Sequence, residues 1–169
     1  MSALFYVSGA IAVISALLVV TQTNAMRALI NLIVLTLAVA SIFYALGAPF
    51  IAALQIVVYA GAIMILFVFA VMMLNLGDQA EARERGWLAG AISVTPLLLA
   101  AILLAEFTYT LAHGGASSAT TAVAPKAVAI SLFTDYLVGV ELASIMLLAA
   151  LVGAFHYGWI SSRLERVDD

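Results

Sequence analysis

The sequence predicts an all-α membrane protein of five transmembrane helices, and three observations carry that expectation. Of 169 residues, 66% are hydrophobic and only 9% charged, where a soluble domain carries about 25% charged residues. The mean hydropathy is +1.23. Even a soluble domain of ~150 residues buries only ~70% of the surface its unfolded chain exposes, so the apolar surplus has to face lipid. Third, five separate stretches approach the ~20 apolar residues that a helix needs to cross hydrocarbon.

The first stretch covers about residues 3–20 and ends in the polar run Thr21-Gln22-Thr23-Asn24. No Lys or Arg precedes Arg27, so the charged leader of a signal peptide is lacking and this span is expected to be retained. The second covers about 28–46 and stops at Gly47-Ala48-Pro49, a Gly/Pro pair suited to a tight turn. The third, about 50–76, is long enough to span with tilt or distortion. A charged segment, Asp78 to Arg85, precedes the fourth span at about 87–111, in which Pro96 is expected to introduce a kink. Residues 113–125 are rich in Gly, Ser, Thr and Ala and read as a flexible loop. The fifth span, about 137–157, leads into a charged tail over 158–169. Before it, residues 126–136 mix Val128, Ile130, Leu132 and Phe133 with polar neighbours, which reads as a short interfacial helix or an irregular re-entry loop. The whole of 1–169 reads as one membrane domain.

Charge and residue types exclude several chemistries. Cysteine is absent, so the chain's own thiolates hold neither disulfides nor an iron–sulfur cluster. His113 and His156 have no Asp or Glu at ligand spacing, so no metal is expected on this chain. No basic patch points to nucleic acid. Arg27, Arg83, Arg85, Arg163 and Arg166 flank the spans on one side, and only Lys126 lies on the other. By the positive-inside rule the C-terminus is expected in the cytoplasm and the N-terminus outside.

Polar groups inside spans are costly and by default mark a protein contact or a water-filled path. In the third span Gln55 and Tyr59 are four residues apart and share a helical face. Gly61 weakens the helix and permits close approach of another backbone. A glycine placed between a tyrosine and bulky residues suits a π-bulge, and a small-residue packing face is the structural alternative. Glu141 in the fifth span and Glu106 in the fourth lie at about the depth of Gln55, which suggests a hydrated layer. Both carboxylates also suit an interfacial or partner-subunit contact.

Two stretches resemble a known family. Tyr59-Ala-Gly-Ala-Ile-Met-Ile-Leu-Phe67-Val-Phe-Ala-Val-Met-Met-Leu-Asn75 is similar to the third helix of the J subunits of bacterial NADH–quinone oxidoreductase, respiratory complex I. Residues Ala127 to Ala149, through Val-Gly-Val-Glu141-Leu-Ala-Ser, resemble the fifth-helix region of the same family. Span number, orientation and length agree, so the resemblance covers nearly the whole chain.

The resemblance implies a non-catalytic subunit of the bacterial inner membrane, beside subunits A, H and K and the antiporter-like subunits. NADH, FMN, iron–sulfur clusters and quinone would be handled by other subunits, and this chain would bind no cofactor. It further implies a π-bulge in the third helix, with Tyr59, Gly61, Ile65 and Phe67 around it, that opens or closes a water path. Some family members carry glutamate where this chain has Gln55. An amide hydrogen-bonds water but does not exchange protons at ordinary pH, so the resemblance gives no protonation role to that position. Glu141 matches a glutamate of related subunits. The alternative from another class is a small membrane subunit of a multi-chain cation/proton antiporter.

Overall fold

A helix of 19 to 25 residues is about 28–37 Å long at 1.5 Å per residue, enough to cross a ~30 Å hydrocarbon core. The computed structural model, which describes residues 3–22, 25–73, 94–112 and 122–164, contains five such apolar helices. They are α1 (Ala3–Thr21), α2 (Ala25–Ala45), α3 (Pro49–Met73), α4 (Val94–Ala112) and, after the short α5 (Pro125–Phe133), α6 (Leu137–Leu164). No strand occurs among the described residues. The expected segments Asp78 to Arg85 and 113–121, the residues before Val94, and the tail beyond Leu164 lie outside the described residues.

The chain forms two compact units, residues 1–123 and 124–169. In the first, α2 is central: it packs against α1, α3 and α4, and α4 also touches α1. The pattern of α2 explains this position. Asn31, Val34, Ala38 and Ser41 recur at three- and four-residue spacing on one side, while Leu29, Thr36 and Ala40 lie on another, and all are buried. The facing stripe of α1 is Leu4, Ser8, Ile11 and Ser15, the same alternating spacing, which lets two antiparallel helices interdigitate. Ile11, Val34, Ala38, Leu99 and Leu103 form the core, with Ala38 fully buried. An edge-on contact between Tyr44 and Phe107, 5.3 Å between ring centres, closes the α2–α4 contact at one end.

The hydroxyls of Thr36 and Ser41 in α2 turn back onto their own backbone. Thr36 Oγ1 donates to the Ile33 carbonyl at 2.8 Å and Ser41 Oγ to the Leu37 carbonyl at 3.2 Å. Such bonds satisfy the group where lipid offers no partner.

The α2–α3 connection is built by Gly47. Its φ of 81° is the left-handed conformation that glycine adopts at least cost. Ala48 N–H donates to the Phe43 carbonyl and Gly47 N–H to the Tyr44 carbonyl, both at 3.0 Å. This paired closure of a helix C-terminus satisfies carbonyls that the helix itself leaves open. Pro49 then occupies the first turn of α3, where its missing N–H is not needed.

In the second unit, Pro125 opens α5. Thr134, Asp135 and Tyr136 close it by donating N–H groups to the carbonyls of Ile130 and Ser131. The segment read as an interfacial helix or an irregular loop is therefore helical over Pro125–Phe133. The α6 span is predominantly apolar, with Glu141 inside it, and none of its residues over Leu137–Trp159 is buried.

Gly47→Ala is expected to cost about 1–2 kcal/mol, because a Cβ is strained at this φ. The thermal dissociation midpoint of the assembled protein should fall, and an unchanged midpoint would count against the turn described here.

Candidate functional site

The middle of α3 is not α-helical. Gln55–Ile63 forms a π-helical segment between an α-helical turn at Pro49–Leu54 and an α-helical run at Met64–Met73. Its ends show the change of register. Gln55 N–H reaches the Ile51 and Ala52 carbonyls, four and three residues back, whereas Met64 N–H reaches the Tyr59 carbonyl, five back, along with that of Gly61. The N–H groups at both ends thus keep acceptors while the turn widens by one residue.

The packing pattern supplies a reason for the extra residue. Ala52, before the π segment, is buried and Gln55, its first residue, is half-buried; after it Met64 is buried, with Val68 and Val71 half-buried. Between them the least exposed positions are Ala60, Gly61 and Ile63. The step from Gln55 to Ala60 is five residues, where an α-helical face steps by three or four. Both ends of α3, and the π segment itself, pack against α2. The wide turn lets two apolar faces that are out of α-helical register meet the same neighbour. Each residue of such an offset rotates the downstream segment by about 100°, so closing the π turn would swing the Met64–Val68–Val71 seam away from α2.

Gly61 sits inside this segment. A Cβ built on it would lie 3.4 Å from the Ile56 carbonyl oxygen, the backbone group five residues back that a π turn brings into range. That is ordinary contact, so the position excludes bulk rather than a methyl group. Its other contribution is energetic: glycine disfavours a regular α-helix by about 1 kcal/mol relative to alanine, which weakens the competing form.

The residues singled out in the sequence do not all share this segment. Tyr59 and Gly61 lie within it, and Ile65 and Phe67 fall in the α-helical run that follows. The π segment begins four residues ahead of Tyr59 and includes Gln55. No π-segment residue is fully buried, and Tyr59 is 49% exposed. The Tyr59 hydroxyl bonds no described neighbour.

Gln55 and Glu106 are each six residues from the ends of α3 and α4 that lie on one side, about 9 Å in. Both are half-buried and no hydrogen bond joins them. Glu106 continues the Pro96–Leu99–Leu103 stripe of α4, and its Oε2 is buried without a partner among the described residues. Glu141 belongs to the second unit, where it is exposed; its backbone carbonyl accepts the Ser144 hydroxyl at 2.7 Å. No cluster of metal-ligating side chains occurs among the described residues.

Sequence reasoning passed over Ser8, Ser15 and Asn31, which are the largest fully buried side chains. Their signal was present in the alternating spacing that places them on the packed stripes of α1 and α2. Small polar residues in a span read as ordinary filler until the helix pairing is known.

A chain that is helical and strand-free over its described residues, with five membrane-crossing helices and a π-helical segment in the third, is a polytopic membrane protein. Comparison with known proteins gives the particular family. Residues 15–156 match the family NADH-ubiquinone/plastoquinone oxidoreductase chain 6, and the chain belongs to it. Among its relatives is a Pseudomonas aeruginosa protein named NADH-quinone oxidoreductase subunit J, 52% identical across 91% of this chain and 94% of its own length. The Escherichia coli protein of the same name is 48% identical over 91% of this chain and 84% of its own length. A Buchnera aphidicola subunit J is 43% identical over 94% and 98% of the two chains.

Gly61→Ala is expected to leave the amount of assembled complex unchanged on a native gel, since the added carbon meets only an ordinary contact. Loss of the complex would show that the π segment tolerates no side chain at this point.

Proposed function

We propose that this chain is a non-catalytic membrane-arm subunit of proton-pumping NADH–quinone oxidoreductase and that α3 gates a hydrated path in it. The π segment Gln55–Ile63 is the observation that supports the reading. A π turn inside an α-helix has two bonding registers of similar quality, and conversion between them rotates one part of the span against the other. Tyr59 and the rest of the exposed face move with that rotation, so the path they border is shared with a neighbouring subunit rather than enclosed by this chain. Gln55 supplies an amide that bonds water without exchanging protons.

In this reading electrons pass through NADH, FMN, iron–sulfur clusters and quinone held elsewhere in the complex. The neighbours are subunits A, H and K and the antiporter-like subunits. The membrane is the bacterial inner membrane, with the N-terminus outside and the C-terminus in the cytoplasm.

The test is Gly61→Val. Branching at Cβ drives methyl groups towards the Ile56 carbonyl, already 3.4 Å from the Cβ position. Overpacking of this kind costs about 1–3 kcal/mol, about a 5- to 150-fold bias between two conformations. In reconstituted vesicles the variant should assemble and oxidise NADH while moving fewer protons per NADH. Normal pumping by assembled Gly61→Val would remove the gating role and leave family membership intact.

Glu141→Gln separates titration from hydrogen bonding. If Glu141 exchanges protons during turnover, the variant should pump less and lose part of the pH dependence of pumping. A wild-type pH profile would reduce Glu141 to a structural contact.

A further inference from the structure

The α1–α2 pair contains polar atoms that helical bonding does not account for. Ser15 is 0% and Asn31 2% exposed. The Asn31 Nδ2 donates to the Arg27 carbonyl at 3.0 Å, and because only the nitrogen donates, this bond fixes the amide so that Oδ1 is the free acceptor. That Oδ1 and the Ser15 Oγ are both buried and make no hydrogen bond. The other buried hydroxyls on α2, Thr36 and Ser41, bond backward to carbonyls of their own helix; Ser15 does not.

The two unpartnered atoms belong to one level of the structure. Ser15 is six residues before the end of α1 at Thr21, and Asn31 six residues after the start of α2 at Ala25. At 1.5 Å per residue both lie about 9 Å from the connection between the helices. Each is on the packed stripe of its helix, Leu4–Ser8–Ile11–Ser15 on α1 and Asn31–Val34–Ala38–Ser41 on α2. A hydroxyl donor and an amide acceptor thus share a level within the most extensively packed helix pair of the chain, without bonding each other. Polar groups separated beyond direct bonding distance are commonly joined by a single water. In hydrocarbon no other solvent partner is on offer.

We propose that Ser15 and Asn31 form a buried water-binding site inside the α1–α2 pair. One water molecule accepts the Ser15 hydroxyl proton and donates to Asn31 Oδ1, so that both side chains are satisfied and the two helices are tied at this level. Ser8 marks the contrast. Its Oγ is equally buried and unpartnered, but the residue at its level on α2 is Ala38, which offers no polar side chain to complete a bridge.

The test uses the intact complex. A cryo-electron microscopy map that resolves ordered water should show density within hydrogen-bonding distance of Ser15 Oγ and Asn31 Oδ1, and a map of Ser15→Ala should lack it. No density in the wild-type map, or a direct Ser15–Asn31 bond, would overturn the proposal. Thermal dissociation supplies a second reading. Ser15→Ala and Asn31→Leu should each lower the midpoint by about 2–4 °C, and the double variant by less than their sum, since removing both polar groups leaves nothing unsatisfied. Strictly additive shifts would count against a shared water. Should a single variant fail to assemble, the wild-type map still decides.

Discussion

Inside hydrocarbon a polypeptide has only itself to satisfy its backbone N–H and C=O groups, and every feature of this chain answers to that constraint. Helices follow from it, since they close their bonds within the segment. So does the connection at Gly47, where the last carbonyls of α2 are taken up by Gly47 and Ala48 before Pro49 starts the next span without an N–H to spare. Thr36 and Ser41 obey it by bonding carbonyls of the preceding turn. Among the described residues the bonding pattern changes in the π segment of α3, and even there the N–H groups of Gln55 and Met64 at its ends keep acceptors.

In the proposed gating, an exchange of acceptors is what lets α3 move. A broken helix would leave groups unpaired in lipid, but a change from one helical register to another keeps the bonds in number and alters only their span. The packing on α2 determines which register holds. Ala52 and Gln55 on one side, and Met64, Val68 and Val71 on the other, are among the less exposed positions of α3, which packs against α2 before, within and after the π segment. In the proposed gating, relief of that packing by a neighbour's movement shifts the balance.

The two units also differ in how finished they are. In residues 1–123, α1, α2 and α4 bury a shared core around Ala38, while no residue of α6 over Leu137–Trp159 is buried. A helix that is apolar all round needs no partner in order to sit in lipid, but Glu141 within it does call for one, because an isolated carboxylate in hydrocarbon is expensive. Membership in a multi-subunit oxidoreductase family accounts for surfaces that this chain by itself leaves open.

Much of the architecture was legible in the sequence. Five apolar stretches set the number of spans because the thickness of hydrocarbon fixes helix length, and Gly47-Ala48-Pro49 marked a turn through backbone chemistry that needs no tertiary context. The pairing of Tyr59 with Gly61 pointed to a distorted third helix. The distortion runs from Gln55 to Ile63, and α3 packs against α2 before, within and after it; no local propensity records such a fit. The same holds for Ser15 and Asn31. Their residue types say nothing of burial, and only antiparallel pairing of α1 and α2 brings them to one level. Composition and length determined that the chain crosses the membrane and how often; the contacts between helices decided which polar groups lie buried and where the helix yields, because both depend on which faces meet.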